Sequence, residues 1–138
     1  MYHVSTKYWG KRKLIYPRKI DDATYPTPCI CVCPTVEQCL LAMPTPRSRC
    51  LFVYSTQEKG SNRFTKQIFD YKYTEEHRIY NRAIFDHVFT IDASMTSWIK
   101  EAKRSIDLLQ DTLTQHNQNL YPQGLLVLRD LVSNIMNN

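Results

Sequence analysis

The sequence predicts an α+β protein with small mixed or antiparallel β-sheets, one short helix and a C-terminal helical hairpin. Short runs of β-branched and aromatic residues, separated by polar and Pro-containing segments, fill the first two thirds of the chain. Thr35 and Gln38 have the spacing of a capping box that opens a helix. From residue 94 onward, apolar residues recur every three or four positions. We therefore expect an α+β part over residues 1–93 and a two-helix extension over 94–138, which packs on it or on a partner.

The chain opens with a strand that carries a titratable side chain. Residues 2–8 are rich in strand-forming Tyr and Val, residues 10–13 (Gly-Lys-Arg-Lys) mark a turn, and residues 14–16 form a second extended piece before a proline. Because side chains alternate across a strand, His3 and Ser5 lie on the same face. Taken alone, this pattern is also that of an opening strand with one exposed histidine.

The next prominent segment is the run Cys-Ile-Cys-Val-Cys at residues 29–33. Its uncharged, partly β-branched composition indicates a central strand buried on both sides, followed by the helix that Thr35 caps and that ends before Pro44. Alternation places all three thiols on one face. Cysteines two apart on a strand form a poor disulfide, and no C-x-x-C pair is present. We expect buried, reduced thiols here, with a metal site as the alternative.

The remaining segments predict further strands and then the two helices. Strands are expected at residues 49–55, 67–73 and 79–91, with a bulge or a tight turn at Asp86-His87. Ser94 is a plausible N-cap of the first long helix, and a second helix follows with Pro122 in its first turn. The two apolar stripes consist of Met95, Trp98, Ile99, Ala102, Ile106, Leu109 and Leu113 on the first helix, and Leu125, Leu128, Leu131, Val132 and Ile135 on the second.

The charge and hydropathy of the chain limit its partners. The formal net charge is +5, the sequence pI is about 9.0, and the basic residues gather in the N-terminal half. This suits a phosphate-bearing partner, either a nucleotide or a nucleic acid, although a solvated surface explains the same residues. No apolar run approaches about 18 residues, and no secretory leader is evident. We therefore expect a soluble, cytoplasmic protein that does not bind membranes.

Three short motifs occur in a fixed order: Tyr2-His3-Val4-Ser5, the segment 33–40 (Cys-Pro-Thr-Val-Glu-Gln-Cys-Leu), and Thr74-Glu75-Glu76. Their order and spacing resemble the ADP-ribosyltransferase-like fold, a group that includes bacterial mono-ADP-ribosyltransferases, antibiotic-modifying members and tRNA 2′-phosphotransferase. The resemblance covers roughly residues 1–92. The chain departs from the group in having Val4 where a Gly is usual, Cys33-Pro34 where many members have an aromatic residue or Ser, and no Gly-rich phosphate loop.

The resemblance implies a cleft between two sheets that binds NAD as a substrate. An acidic residue, Glu76 or its neighbour Glu75, would stabilise positive charge at the breaking bond, and His3 would hold a ribose hydroxyl. Arg18 would contact the pyrophosphate, because its planar fork matches paired phosphate oxygens. The full set of implied nucleotide contacts is His3, Ser5, Arg18, Thr35 and Tyr54. No metal belongs to this prediction.

The implied activity is transfer of ADP-ribose from NAD to a protein, a nucleic acid or a small molecule. The alternative is a catalytically inactive protein that binds a nucleotide or blocks a host protein, such as a virus-encoded anti-defence factor. A third hypothesis is nucleic-acid binding through Lys11, Arg12, Lys13, Lys19 and exposed tyrosines. A Cys nucleophile paired with His77 or His87 is less favoured, because an apolar strand raises thiol pKa values. The C-terminal helices offer a surface for a homodimer.

Overall fold

The computed structural model describes residues 1–22, 25–114 and 120–137, and it confirms the α+β fold class. These residues form two antiparallel sheets and four α-helices. The strands are β1 (Tyr2–Ser5), β2 (Arg12–Ile15), β3 (Ile30–Val32), β4 (Leu51–Ser55), β5 (His77–Ile79) and β6 (Ala83–Ile91). The α-helices are α1 (Val36–Ala42), α2 (Tyr71–Thr74), α3 (Ala93–Thr114) and α4 (Tyr121–Met136), and a single 3-10 turn covers Thr65–Gln67.

The larger sheet has four strands in the order β1-β4-β6-β2, all antiparallel. Its register shifts between β4 and β6, where Val53 pairs with Phe89 but Tyr54 pairs with His87. Val88 is therefore an extra residue in β6, which is the signature of a β-bulge. Of the two structures predicted near Asp86-His87, the bulge is close to what forms, and the tight turn is wrong because β6 is one continuous strand.

The cysteine-rich strand β3 belongs to the smaller sheet, where it pairs with β5. Isolated bridges Tyr2–Cys33 and Arg18–Cys29 join its other side to the N-terminal segment. The expected burial is confirmed for Ile30 and Val32, but the central position is wrong, because β3 belongs to a two-stranded sheet. The reason is topological: the strands of the larger sheet pair with one another, so β3 is left to join β5.

The helix boundaries test three predicted signals. Thr35 caps α1, because its hydroxyl accepts a hydrogen bond from the Gln38 amide at 3.3 Å. Pro122 lies in the first turn of α4 as predicted. Ser94 is not the cap of α3, since the carboxylate of Asp92 accepts a hydrogen bond from the Met95 amide at 2.9 Å.

Residues 67–73, predicted to be extended, instead run from the end of the 3-10 turn through a short connection into the first three residues of α2. The backbone amides of this segment bond locally, as in Ile68 to the Thr65 carbonyl at 2.9 Å and Tyr73 to the Asp70 carbonyl at 2.9 Å. Aromatic residues favour strands only where a neighbouring strand is within pairing reach. Within the described residues no strand pairs with this segment, so local hydrogen bonds decide its conformation.

The two faces of the larger sheet pack against different layers. One face supports α1, α3 and α4 in an apolar cluster that includes Leu40, Val53, Ile99 and Leu128, so the C-terminal helices share a core with the sheet. The other face packs on the smaller sheet through a second cluster, which consists of Ile30, Val32, Tyr54, Ile79, Ala83 and Phe85.

The apolar stripe predicted on α3 is only partly buried. Ile99 and Ile106 lie in the core, whereas Trp98 and Leu109 are exposed. The side chain of Leu113 lies outside the described residues. In the described part of the chain, none of the helices combines the length and apolarity needed to cross a bilayer.

Candidate functional site

A cavity of about 810 Å³ lies where the N-terminal segment meets the smaller sheet and α1. Its size is within the range of roughly 300–1,000 Å³ that is typical of small-molecule sites. His3, Trp9, Tyr25, Cys31 and Glu76 are among the residues that line it. The cavity therefore brings the early histidine and the late glutamate of the sequence prediction to one place.

His3 presents an unusual hydrogen-bonding state in this cavity. Its Nδ1 lies 2.6 Å from the carbonyl oxygen of Cys31. Because a carbonyl can only accept, Nδ1 carries the proton, and Nε2 of the neutral ring is then an acceptor. Nε2 is buried and has no hydrogen-bond partner among the described residues. The ring itself is held by stacking on Trp9, at a centroid distance of 5.2 Å, and by an edge contact with Phe85 at 5.9 Å.

The charge state of His3 follows from this environment. Burial lowers the pKa of His3 from 6.5 to about 4, against the opposing effect of the hydrogen bond to Cys31, and the positive charge of Arg18 lowers it further. The imidazole is accordingly neutral near pH 7. His3 thus offers a fixed lone pair to a ligand and no positive charge.

Glu76 is the second polar group of the site and is only 8% exposed. The hydroxyl of Tyr25 donates to both of its carboxylate oxygens, at 3.1 and 3.2 Å, and Nε of Arg78 lies 3.7 Å from Oε2. Burial raises the pKa of Glu76, while the Tyr25 hydrogen bond and the Arg78 charge oppose that rise. A carboxylate has about four lone-pair positions, so these partners leave acceptor capacity for a ligand hydroxyl.

Cys31 lies next to the histidine and close to the glutamate. Its carbonyl accepts a hydrogen bond from Nδ1 of His3, and its thiol and the Glu76 carboxyl are near enough for each to affect the pKa of the other. A hydrogen bond with Cys29 and burial both raise the pKa of the Cys31 thiol, so the group stays protonated and is a poor nucleophile. All five cysteines are free thiols, as expected, but only Cys29, Cys33 and Cys39 are buried, whereas Cys31 and Cys50 are partly exposed.

Neither a metal site nor a Cys–His pair forms in the described residues. No group of three or more His, Cys, Asp or Glu side chains within them has the arrangement of a metal site. The ring of His77 bonds to the Glu75 carbonyl at 2.8 Å, and that of His87 bonds to the Thr90 hydroxyl at 2.9 Å. Both histidines are therefore engaged away from the thiols.

The charged groups that line the cavity are mostly acidic. Arg18 is exposed, and its charge lowers the pKa of His3. Lys103 is only 2% exposed and donates to the Leu41 carbonyl at 3.0 Å. Burial lowers the pKa of Lys103. Carboxyl groups outnumber these two cations and belong to Asp21, Asp22, Asp70, Glu76 and Asp107.

Four residues implied by the family resemblance do not line the cavity. Ser5 is buried and its hydroxyl donates to the carbonyl of Lys7 at 2.7 Å, which closes a local turn. Thr35 acts as the cap of α1. Tyr54 is fully buried, where its hydroxyl donates to the Gly10 carbonyl at 2.9 Å.

Glu75 is the fourth of these residues and points away from the site. It ends α2 in the left-handed conformation, with φ of 48°, and its side chain accepts a hydrogen bond from Gln38 Nε2 at 2.7 Å. Of the two adjacent glutamates, the structure therefore selects Glu76 as the one that faces the cavity.

Sequence reasoning missed three residues that shape the site. Tyr25 lies in a Pro-containing loop without periodicity, and no local signal marks its contact with Glu76. Arg78 belongs to a strongly charged segment of the sequence but is buried, with its guanidinium 3.9 Å from the Tyr25 ring centroid. Lys103 did leave a signal, because it interrupts the apolar spacing of α3 between Ile99 and Ile106.

Comparisons with known proteins add no relative from which a role could be carried over. No protein-family model matches the chain, and no curated protein or solved structure matches it significantly. The resemblance to ADP-ribosyltransferases stays a prediction, and the residues of the cavity are what bears on the function.

Proposed function

We propose that the cavity binds NAD as a substrate and that the protein is an ADP-ribosyltransferase. The observation that supports this most directly is that His3, whose buried Nε2 has no partner among the described residues, lines the same cavity as Glu76. A ribose offers adjacent hydroxyl groups that can donate to both residues. The sequence resemblance leads to the same two side chains.

The role of His3 is to bind a ribose hydroxyl. An unsatisfied buried polar atom costs roughly 1–3 kcal/mol, and a ligand hydroxyl that donates to Nε2 removes that cost. Because the ring is neutral near pH 7, the acceptor is present throughout the physiological range. The hydrogen bond to Cys31 and the stacking on Trp9 fix the ring before the ligand arrives, which limits the entropy lost on binding.

The role of Glu76 is electrostatic. In the reaction the bond between the ribose C1′ and the nicotinamide nitrogen breaks, and its electron pair neutralises the pyridinium ring. Positive charge develops on the ribose, where a nearby carboxylate stabilises it. The acceptor's nucleophilic atom then bonds to C1′ and loses a proton. With water as the acceptor, the products are ADP-ribose, nicotinamide and a proton.

The charged groups that line the cavity suit NAD. The exposed Arg18 can contact the pyrophosphate, since a guanidinium matches paired phosphate oxygens. The carboxyl-rich lining suits the cationic nicotinamide ring.

Release of nicotinamide from NAD, followed by liquid chromatography, tests the proposal. We expect the wild-type protein to release nicotinamide and Glu76→Gln to do so about 10²-fold more slowly or worse, as when one transition-state contact is removed. Glu75→Gln is the matched control and should retain activity, because its side chain faces Gln38 instead of the cavity. Absence of both NAD binding by calorimetry and nicotinamide release from the wild type would overturn the proposal.

A second candidate is a nucleotide-binding protein without turnover, and the burial of Glu76 favours it. Burial raises the pKa of Glu76, which disfavours the negative charge that a transition state would need, and the Tyr25 hydroxyl already contacts both of its oxygens. In that case NAD or another nucleotide should raise the melting temperature without nicotinamide release. A ligand at 100 times its Kd adds about 2.7 kcal/mol to the stability of the folded state. His3→Asn should reduce this stabilisation, whereas Glu75→Gln should not.

A further inference from the structure

The N-terminal segment carries a concentration of positive charge that the cavity does not use. Six of the eighteen Lys and Arg residues lie within residues 1–20, which contain no Asp or Glu. Residues 21–138 carry twelve basic and thirteen acidic residues. The positive charge of the whole chain therefore originates in this segment.

The fold places three of these six basic residues at one free edge of the larger sheet. Strand β2 is last in the strand order and pairs only with β6. Lys11, Arg12 and Lys13 are exposed, and the Lys11 carbonyl accepts a hydrogen bond from the His87 amide at 2.8 Å, which anchors the preceding loop to β6. These side chains are therefore presented by a fixed backbone.

The acidic group nearest to this edge compensates only part of its charge. Asp86 lies 3.6 Å from Arg12, and both side chains are more than half exposed. Such surface pairs contribute little to stability and are readily exchanged for other partners. Within the described part of the chain, Lys7, Lys11 and Lys13 form no ion pair.

An aromatic cluster borders the basic edge. The ring of Tyr8 is 53% exposed, and it packs on Phe52 at a centroid distance of 5.5 Å and on His87 at 5.4 Å. Its neighbours thus hold the ring in place while half of its surface stays open to solvent. A nucleobase can stack on such a ring with little loss of side-chain entropy.

We infer that single-stranded nucleic acid binds to the surface formed by the β2 edge, with Lys11, Arg12 and Lys13, and by the neighbouring Lys7 and Tyr8 of the preceding loop. The lysines and Arg12 contact phosphates, and the Tyr8 ring stacks on a base. A single strand is required because bases in a duplex are already stacked and do not expose their faces. An acidic peptide would use the basic groups and need not offer a partner for the aromatic ring, whereas a membrane interface also accepts tyrosine rings, so vesicle binding is measured separately.

The edge leads into the cavity along the same segment. Ile15, Tyr16 and Arg18, which follow the basic residues in the chain, line the cavity. If the proposed enzymatic function holds, a bound nucleic acid is positioned as the acceptor of ADP-ribose. That extension rests on the proposed function, whereas binding at the edge does not.

Fluorescence anisotropy with a labelled single strand of about 12 nucleotides, a length within known site sizes, tests the inference. We expect binding whose log K falls with log salt with a slope of about −2 to −3, as for three or four phosphate contacts at roughly 0.7 each. Lys11→Glu with Lys13→Glu should reduce affinity at least about tenfold and reduce the steepness of that slope by about 1.4. Tyr8→Ala should reduce affinity about tenfold and leave the slope unchanged.

The matched control is Lys59→Glu with Lys66→Glu, two exposed lysines outside this edge, which changes the net charge equally. It should keep the affinity within about threefold. Equal losses in the two double variants, or no binding by the wild type at about 50 mM salt, would overturn the inference. So would equal affinity for duplex DNA or for anionic phospholipid vesicles, since either would mark a general polyanion surface. The variant Lys11→Glu with Lys13→Glu should release nicotinamide at the wild-type rate, because its cavity is intact. Loss of nucleic-acid binding can therefore be told apart from failure of the proposed enzymatic function.

Discussion

The protein loses stability between pH 7 and pH 4.5, and replacing His3 by asparagine should make much of that loss disappear. In the folded protein, burial lowers the pKa of His3 from its ordinary 6.5 to about 4. Between these two values the unfolded chain binds the proton and the folded protein does not. The free energy of unfolding therefore falls as the pH falls through this window.

The magnitude follows from the two pKa values. The full difference corresponds to about 3.4 kcal/mol, at 1.36 kcal/mol for each pKa unit. Most of it, about 2.4 kcal/mol, is lost between pH 7 and pH 4.5. An asparagine side chain has no titrating group, so this part of the pH dependence should be absent from His3→Asn. The variant also keeps a side-chain donor for the Cys31 carbonyl, and its smaller volume adds an offset that does not depend on pH.

Urea unfolding followed by tryptophan fluorescence at a series of pH values measures this difference. Comparison with the wild type is needed because burial raises the pKa values of Glu76 and Asp70, which makes their contributions grow more favourable as the pH falls. His77→Asn is the control, since its ring lies outside the cavity and bonds to the Glu75 carbonyl at an exposed position. If His3→Asn and the wild type lose stability in parallel between pH 7 and pH 4.5, the ring titrates normally, and a neutral, buried acceptor is refuted.

Two further predictions test the fold. Gly60→Ala should destabilise the protein by about 2 kcal/mol or more, because φ is +65° and the added Cβ would lie 2.8 Å from the Arg78 carbonyl oxygen. Thermal unfolding should show a smaller loss for Gly10→Ala, which has φ of +92° but open space around it, and equal losses would contradict the predicted clash. Ile99→Ala should cost about 2–5 kcal/mol and lower the midpoint of a single unfolding transition, because this fully buried side chain joins α3 to the sheet. Leu108→Ala, at a position 72% exposed, should change stability little. Two unfolding transitions, of which Ile99→Ala shifted only one, would show that the C-terminal helices unfold separately from the sheet.

Local patterns predicted the elements that depend on local chemistry. The capping interaction of Thr35 and the position of Pro122 were both correct, because each is decided within one turn of a helix. The segment at residues 67–73 was wrong because strand formation needs a partner, and the composition of a segment does not reveal whether one is near. The sequence did not predict that β3 belongs to a separate small sheet, for the same reason.

The residues of the site divide in the same way into those that the sequence predicted and those that depend on distant partners. His3 and Glu76 were expected to meet, and both line one cavity. The choice between Glu75 and Glu76 required the backbone, since the left-handed turn at Glu75 directs the two adjacent side chains to different surroundings. Tyr25 was missed because a contact across 51 residues leaves no periodic trace in the chain.

The sequence by itself determined the α+β class, the two C-terminal apolar stripes, the free thiols and the basic N-terminal segment. Each of these follows from composition or from periodicity along the chain. Only the tertiary structure decided that His3 is neutral with an unpaired acceptor and that Tyr25 hydrogen-bonds to Glu76. It also decided that Lys11, Arg12 and Lys13 occupy a free sheet edge. Burial, strand pairing and long-range hydrogen bonds set these properties, and all three depend on residues distant in the sequence.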